Sequence, residues 1–344
     1  MKKFLTVTGT AILIIVMNGC NNNNNTDENN NSTPESPAPP GQGTSTLKKT
    51  GQTQSYDTYG NVVTDGSLKD DGYYQKGVTP SYVRDDTKES VADNITGLMW
   101  QDDSAAATVK KVWADAETYC SNDVSTGGYS DWRLPTRVEL VDLSNYDRYG
   151  PAIDTRFQNT ASNEYWSSTA SLFGGSYSGD TWIVNFYTGA QDSEYETSGH
   201  SIRCVRGGES GLSEDTRFSR TNGIITDSKT NLQWQDDYSD NGGGIKSTTW
   251  ADAISYCETL NLDGSNWRLP NLNELTSLVD DLETDPAINR AFLHSDSCSY
   301  WSSTTVANDT ENAWVVEFTN GYQYNDSYKN IATGNDVRCV RDGE

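Results

Sequence analysis

The sequence predicts an α+β chain built as two tandem domains. Three observations carry this. Ordered motifs recur once along the chain at offsets of 132 to 137 residues. Each copy opens with two short helical patterns, one of them with a capping box. Each then continues as short, aromatic-rich runs separated by Gly-, Ser-, Asn- and Asp-rich loops, the pattern of antiparallel strands. A period this long marks duplicated globular domains and not a solenoid. At 344 residues, the chain has room for about two domains.

In chain order, Lys2 and Lys3 precede an apolar stretch over 4–17, then Asn18, Gly19 and Cys20. That is a secretory signal over 1–19, too short for a membrane-spanning helix. A Cys directly after Gly19 resembles the acylated cysteine of bacterial lipoproteins, which makes Cys20 the expected lipid anchor. Asn21 behind it favours the outer membrane over the inner. Residues 20–46 are rich in Asn, Pro, Ser and Gly without apolar periodicity. They read as a disordered spacer.

The first domain is expected over 47–207, with 50–83 an addition that has no counterpart later, either a strand or a cap. Leu98 with Trp100, Gln101, Asp102 and Asp103 matches Leu232 with Trp234, Gln235, Asp236 and Asp237. Trp113, Ala116 and Cys120 fall at helical spacing, and Trp250, Ala253 and Cys257 repeat them, with Ser247 or Thr248 as N-cap. Trp132, Arg133, Leu134 and Pro135 precede Thr136 and Glu139; Trp267, Arg268, Leu269 and Pro270 precede Asn271 and Glu274. Each second pair reads as a capping box opening the second helix. Strands follow at 165–169, 182–186 and 202–205, with counterparts in the second copy over 211–344. All ten Trp fall into five pairs. Residues 207–212 form a short linker, so little independent motion of the domains is expected.

The chain is exported, so paired cysteines suggest disulfides. Cys120 and Cys204 repeat as Cys257 and Cys339. The most economical pairing lies within each copy, first helix to last strand, the alternative being four buried thiols. Cys298 has no counterpart and is expected to be a free thiol or an intermolecular bridge.

The chain holds 25 Lys and Arg against 49 Asp and Glu, a net charge of -24. The excess is in both halves: 16 cationic against 26 anionic side chains over 1–208, and 9 against 23 over 209–344. Nucleic acid is excluded as a partner, because phosphate neutralisation needs a basic surface, and a membrane is expected to be met only through the anchor. Mean hydropathy is -0.72, which alone suggests disorder. The 10 Trp, 19 Tyr and 7 Phe argue instead for aromatic-cored domains with acidic surfaces.

Together the motifs resemble the Lcl C-terminal domain family over 47–207 and 211–342, a family named after a bacterial collagen-like adhesin. The resemblance implies a C-type-lectin-like fold for each copy, close to that of formylglycine-generating enzymes. It carries over no catalytic residues, and without a Gly-X-Y tract it does not imply collagen trimerisation.

No enzyme is expected. His200 and His294 do not match between the copies, Asn159 standing where the second has His294, and neither forms a metal motif. Glu139 and Glu274 are explained by capping, and Arg133 and Arg268 by bonds to backbone carbonyls or a carboxylate. Ligand or Ca²⁺ contacts are sought in two places. One is the adjacent carboxylates Asp102–Asp103 and Asp236–Asp237, since Ca²⁺ takes roughly 6–8 oxygens. The other is the divergent loops, with Asp180, Asp192, Asp309, Glu311, Asp326 and Asp336. No cofactor is expected, apart from Ca²⁺. The leading expectation is a lipid-anchored surface binding protein of adhesin or carbohydrate-recognition type, two copies adding avidity. The alternative is a structural lipoprotein that recognises another envelope protein. A formylglycine-generating-type enzyme using Cys298 is the remote one.

Overall fold

The computed structural model describes residues 47–172, 179–208, 216–331 and 333–343. The signal, the spacer with Cys20, and most of the linker lie outside them. Each copy holds two sheets and few, short helices. In the first, Tyr82–Asp85, Ser90–Asp93 and Met99–Gln101 form an antiparallel meander closed by Val205–Arg206. The larger sheet runs Lys110–Lys111, His200–Ser201, Glu164–Ala170, Asp180–Asn185, Gln191–Tyr195. The second copy repeats both orders: Phe218–Thr221, Ile224–Asp227, Leu232–Gln235 and Val340–Asp342; then Lys246–Thr248, Asn335–Val337, Ser299–Thr305, Asn312–Glu317 and Tyr322–Tyr328.

Two features depart from the sequence reading. The strands are not all antiparallel: Ser201 lies parallel to Tyr165, and Asp336 parallel to Tyr300. The last strand is also not continuous over 202–205. It breaks after Ser201 and resumes at Val205 in the other sheet, and the second copy breaks likewise between Val337 and Val340. The residues at each break, Arg203–Cys204 and Arg338–Cys339, are fully buried, so the chain passes through the core where it changes sheets.

The helices follow the expected signals. Thr136 caps Arg137–Val141 and Asn271 caps Leu272–Thr276, each with a complete capping box closed by Glu139 or Glu274. The first helices differ. Trp250–Thr259 is capped by the Thr249 side chain, not by Ser247 or Thr248, which lie in the preceding strand. Val112 occupies the cap position of Trp113–Thr118 and offers no side-chain acceptor; that helix passes into a π-helical turn over Tyr119–Asp123. Disulfides Cys120–Cys204 and Cys257–Cys339 join first helix to sheet crossover in each copy. Tyr165, Trp166, Tyr300 and Trp301 are core residues, the aromatic payload of strands otherwise poor in aliphatic side chains.

Residues 47–78 join the two copies. They form a two-stranded ribbon, Ser55–Tyr56 with Val62–Val63, and one helical turn, Asp71–Tyr74, capped by Asp70. Towards the first copy, the Lys48 ammonium donates to Asp93 (2.6 Å) and Asp142, and Thr50 O accepts from Tyr146 N at 2.7 Å. Towards the second, Asn273 and Asn271 donate to the carbonyls of Lys48 and Lys76 at 2.9 and 3.2 Å. Thr304 Oγ1 donates to Asp71 at 2.8 Å, and the buried Lys329 ammonium donates to Tyr56 O at 2.8 Å.

The copies also meet directly, through equivalent faces. Gln191 and its counterpart Gln323 touch: Gln191 N donates to Gln323 Oε1 (3.1 Å) and Gln191 Nε2 to Gly321 O (2.7 Å). The equivalent Trp182 and Trp314 each meet a tyrosine of the other copy edge-on, Tyr322 and Tyr146, both at 5.3 Å between centroids. This is quasi-twofold, isologous packing within one chain. Gly321 has φ +85°, and a Cβ there would fall 2.4 Å from Val279 and 3.3 Å from Trp182, so the contact requires glycine.

Candidate functional site

The paired carboxylates are structural. Asp102 is fully buried and accepts from Gln158 N (2.9 Å), Asn159 N (3.2 Å) and Arg203 Nη1 (2.9 Å), with Arg84 alongside. Asp236 repeats this with Leu293 N (3.1 Å), His294 N (3.0 Å), Arg220 Nε (2.7 Å) and Arg338. Two guanidinium groups face each carboxylate, so fixed cations hold the places expected of Ca²⁺. The match of Asn159 to His294 is real: Asn159 Nδ2 bonds Asp102 O at 2.6 Å, and His294 Nδ1 lies 2.9 Å from Asp236 O. Asp103 and Asp237 cap local turns, through Ala105 N (3.0 Å) and Ser239 N (2.7 Å).

The remaining predicted ligands are not brought together. Asp180 opens an inner strand, and Asp192 lies on the neighbouring edge strand, where desolvation, Glu194 and Glu164 push its carboxyl up to about 6. Asp309 and Glu311 are exposed in the tight turn before Asn312–Glu317, and Asp326 is exposed on Tyr322–Tyr328. Asp336 is buried at the crossover, its carboxyl raised to about 7 by desolvation and Asp296. Among the described residues no group of three or more His, Cys, Asp or Glu is placed to hold a metal ion.

Arg133 and Arg268 do bond carboxylates: both form two-pronged pairs, with Glu139 at 2.8 and 2.6 Å and with Glu274 at 2.6 Å twice. His200 packs on Trp166 with Nδ1 3.3 Å from Glu164, and desolvation holds its pKa below the usual histidine range. Cys298 is a correction. It is buried and disulfide-bonded, so it offers no free thiol, and the formylglycine-type reading loses its residue.

A model of the Lcl C-terminal domain matches residues 89–206 and again 223–341. The chain belongs to the Lcl C-terminal domain family. No curated protein matches it. The two matches begin at the second strand of each meander and end with the strand that closes it, so each family unit is one pair of sheets with its helices. Residues 47–78, which clasp both units, lie outside both matches. Among the described residues no helix is long and apolar enough to cross a membrane.

What the sequence reading missed lies between the two Lcl units. A cavity of about 280 Å³ opens where Arg137–Val141 of the first unit faces Leu272–Thr276 of the second. Equivalent positions of the two units both line it: Val138 and Asn273, Val141 and Thr276, Asp142 and Ser277. The signal was in the sequence: Arg137 stands where the second copy has Leu272, and both are buried. An arginine replacing a buried leucine needs partners from elsewhere. Here they are Asp281 (2.6 Å), Gln191 Oε1 (2.8 Å) and Val279 O (3.4 Å).

Proposed function

We propose that this chain is a non-enzymatic binding protein of the bacterial cell envelope, exported to the outer membrane, whose two C-type-lectin-like units bind carbohydrate in the manner of an adhesin. Membership in the Lcl C-terminal domain family supports a cell-surface protein. One observation carries the carbohydrate reading. Tyr195 and Tyr328 occupy equivalent ends of the two edge strands, since the next residue in each case, Glu196 or Lys329, accepts from the first-helix tryptophan N–H. Both tyrosines are open to solvent, 66% and 53% exposed, with Asp326 two residues before Tyr328 on the same strand. An exposed ring gives a stacking face for the C–H side of a sugar, and carboxylates accept from its hydroxyls. Two such places on one body supply avidity.

The test is a glycan array probed with the mature chain, with and without EDTA, alongside Tyr195→Ala, Tyr328→Ala and the double variant. Binding that falls with each single change and is lost in the double supports the reading. Binding to no glycan overturns it, and cross-linked capture of an envelope protein would then favour a protein partner. Incorporation of labelled palmitate that is lost in Cys20→Ala would put a lipid on Cys20 and the Cys298 bridge in a second chain.

A further inference from the structure

The cavity between the two units has no part in glycan binding at the outer strand ends. Protein interiors hold few voids larger than a water molecule, and clefts at domain junctions are common ligand sites. This one is about 280 Å³, against roughly 150 Å³ for an apolar cavity that takes up benzene, so it has room for about a dozen non-hydrogen atoms. Its lining is mixed. Val138, Val141, Phe218, Leu278 and Val279 supply an apolar surface, and Leu282 and Val138 leave an apolar rim open to solvent. Thr276, Ser277 and Asn273 line it as well.

The walls carry Lys48, Arg137, Arg217 and Lys229 with Asp142, Asp280 and Asp281, and Asp93 and Asp227 pair with Lys48 and Arg217. Arg137 is the notable cation. It is 2% exposed, with its guanidinium 5.1 Å from the Trp182 ring. A guanidinium has five N–H donors, and three bond Asp281, Gln191 and Val279. Two make no hydrogen bond in the structure, and Arg137 lines the cavity. A guest that brings an acceptor to them gains over one that has none.

From the apolar residues of the lining and the buried arginine among them we infer that the cavity between the Lcl units binds a small monocarboxylate with an apolar body, its chain against Val138 and Val141 and its carboxylate towards Arg137. Octanoate, octan-1-ol and octylamine are probes of matched length. Calorimetric titration of the mature chain is expected to show one octanoate bound per chain, octan-1-ol weaker by about tenfold or more for want of one charge-assisted bond, and no octylamine binding. Val138→Trp, at a half-exposed rim position where added bulk costs the fold little, should abolish octanoate uptake while leaving the circular dichroism spectrum unchanged. Arg137→Leu, which installs the residue of the second copy, should bring octanoate down to the level of octan-1-ol. No octanoate heat, or uptake unaltered in Val138→Trp, overturns the inference; so does equal binding of octanoate and octan-1-ol by the unaltered chain. Glycan binding through Tyr195 and Tyr328 is independent of all these outcomes, so the two readings fail separately.

Discussion

The two Lcl units carry the same arginine–glutamate pair in the same capping box, in opposite surroundings. Arg268 and Glu274 of the second unit are each 4% exposed; Arg133 and Glu139 of the first are 41% and 20% exposed. Residues 47–78 account for the difference. The Tyr74 ring lies 5.9 Å from the Arg268 guanidinium, Lys76 O takes the Asn271 amide, and the Lys76 ammonium holds Asp342, itself 3.4 Å from Arg268. At the equivalent face of the first unit, Thr136 and Gly207 stand where Asn271 and Asp342 would be, and the pair stays half open. A duplicated motif thus keeps its geometry while its energetics are set by what a later addition covers.

The largest expected effect is one on which the units should agree. The disulfides close separations of 84 and 82 residues, which the chain-entropy account values at about 4–5 kcal/mol each. Cys120→Ala with Cys204→Ala, and Cys257→Ala with Cys339→Ala, should therefore destabilise by similar amounts in urea unfolding. A gap of more than about 2 kcal/mol between them would break the view of a shared frame, since loop closure depends only on the logarithm of length.

Glu274→Gln and Glu139→Gln test the contrast itself. Breaking a buried pair leaves an uncompensated charge and costs about 3–5 kcal/mol, whereas a solvent-screened pair is worth about 0–1 kcal/mol. The second-unit change should be the costlier by several-fold in urea unfolding. Equal losses would show that residues 47–78 do not shield Arg268 in solution.

The clasp is also where pH should act. Asp71 is buried between Thr50 and Thr304, and desolvation raises its carboxyl from 3.8 to about 7. A raised carboxyl means that the folded state holds its proton longer than the unfolded chain. The stabilisation is therefore complete below about pH 4 and is lost as pH climbs to 7. Lys329 runs the other way: desolvation lowers its ammonium from 10.5 to about 7, so its contribution is present above 10.5 and lost as pH falls to 7. Asp71→Asn should flatten the stability profile between pH 4 and 7, as read from urea midpoints across that range. An unchanged slope would place the titration elsewhere.

Much of each unit was legible because its contacts are carried by residue type. The capping boxes, the helix-to-crossover disulfides and the carboxylate partners of Arg133 and Arg268 all follow from side chains that repeat with their chemistry intact. The contacts of residues 47–78 were not legible. Asn273, Asn271 and Lys329 reach the backbone carbonyls of Lys48, Lys76 and Tyr56, and a carbonyl is the same at every position. The cavity was legible only in retrospect, from Arg137 standing opposite Leu272. At Asp102 and Asp236 the Ca²⁺ expectation meets the chain's own cations. Both carboxylates did need cations, and the chain supplies them as Arg84 and Arg220 from the same meander and as Arg203 and Arg338 from the far end of each unit.

The smallest effect separates those structural carboxylates from their neighbours. Asp103 Oδ1 accepts from Ala105 N and Ala106 N, at 3.0 and 3.2 Å, and from Gln101 Nε2 at 3.0 Å, while Thr126 bonds its other oxygen. Asp237 has a single backbone partner, Ser239 N at 2.7 Å. Losing a cap costs about 0.5–2 kcal/mol, so Asp103→Ala should fall near the top of that range and Asp237→Ala near the bottom. The caps are made to backbone N–H groups and not to an ion. The thermal midpoints of both variants and of the unaltered chain should therefore be the same in CaCl₂ and in EDTA. A midpoint that rises with CaCl₂ in the unaltered chain and not in Asp103→Ala would restore a cation to this turn.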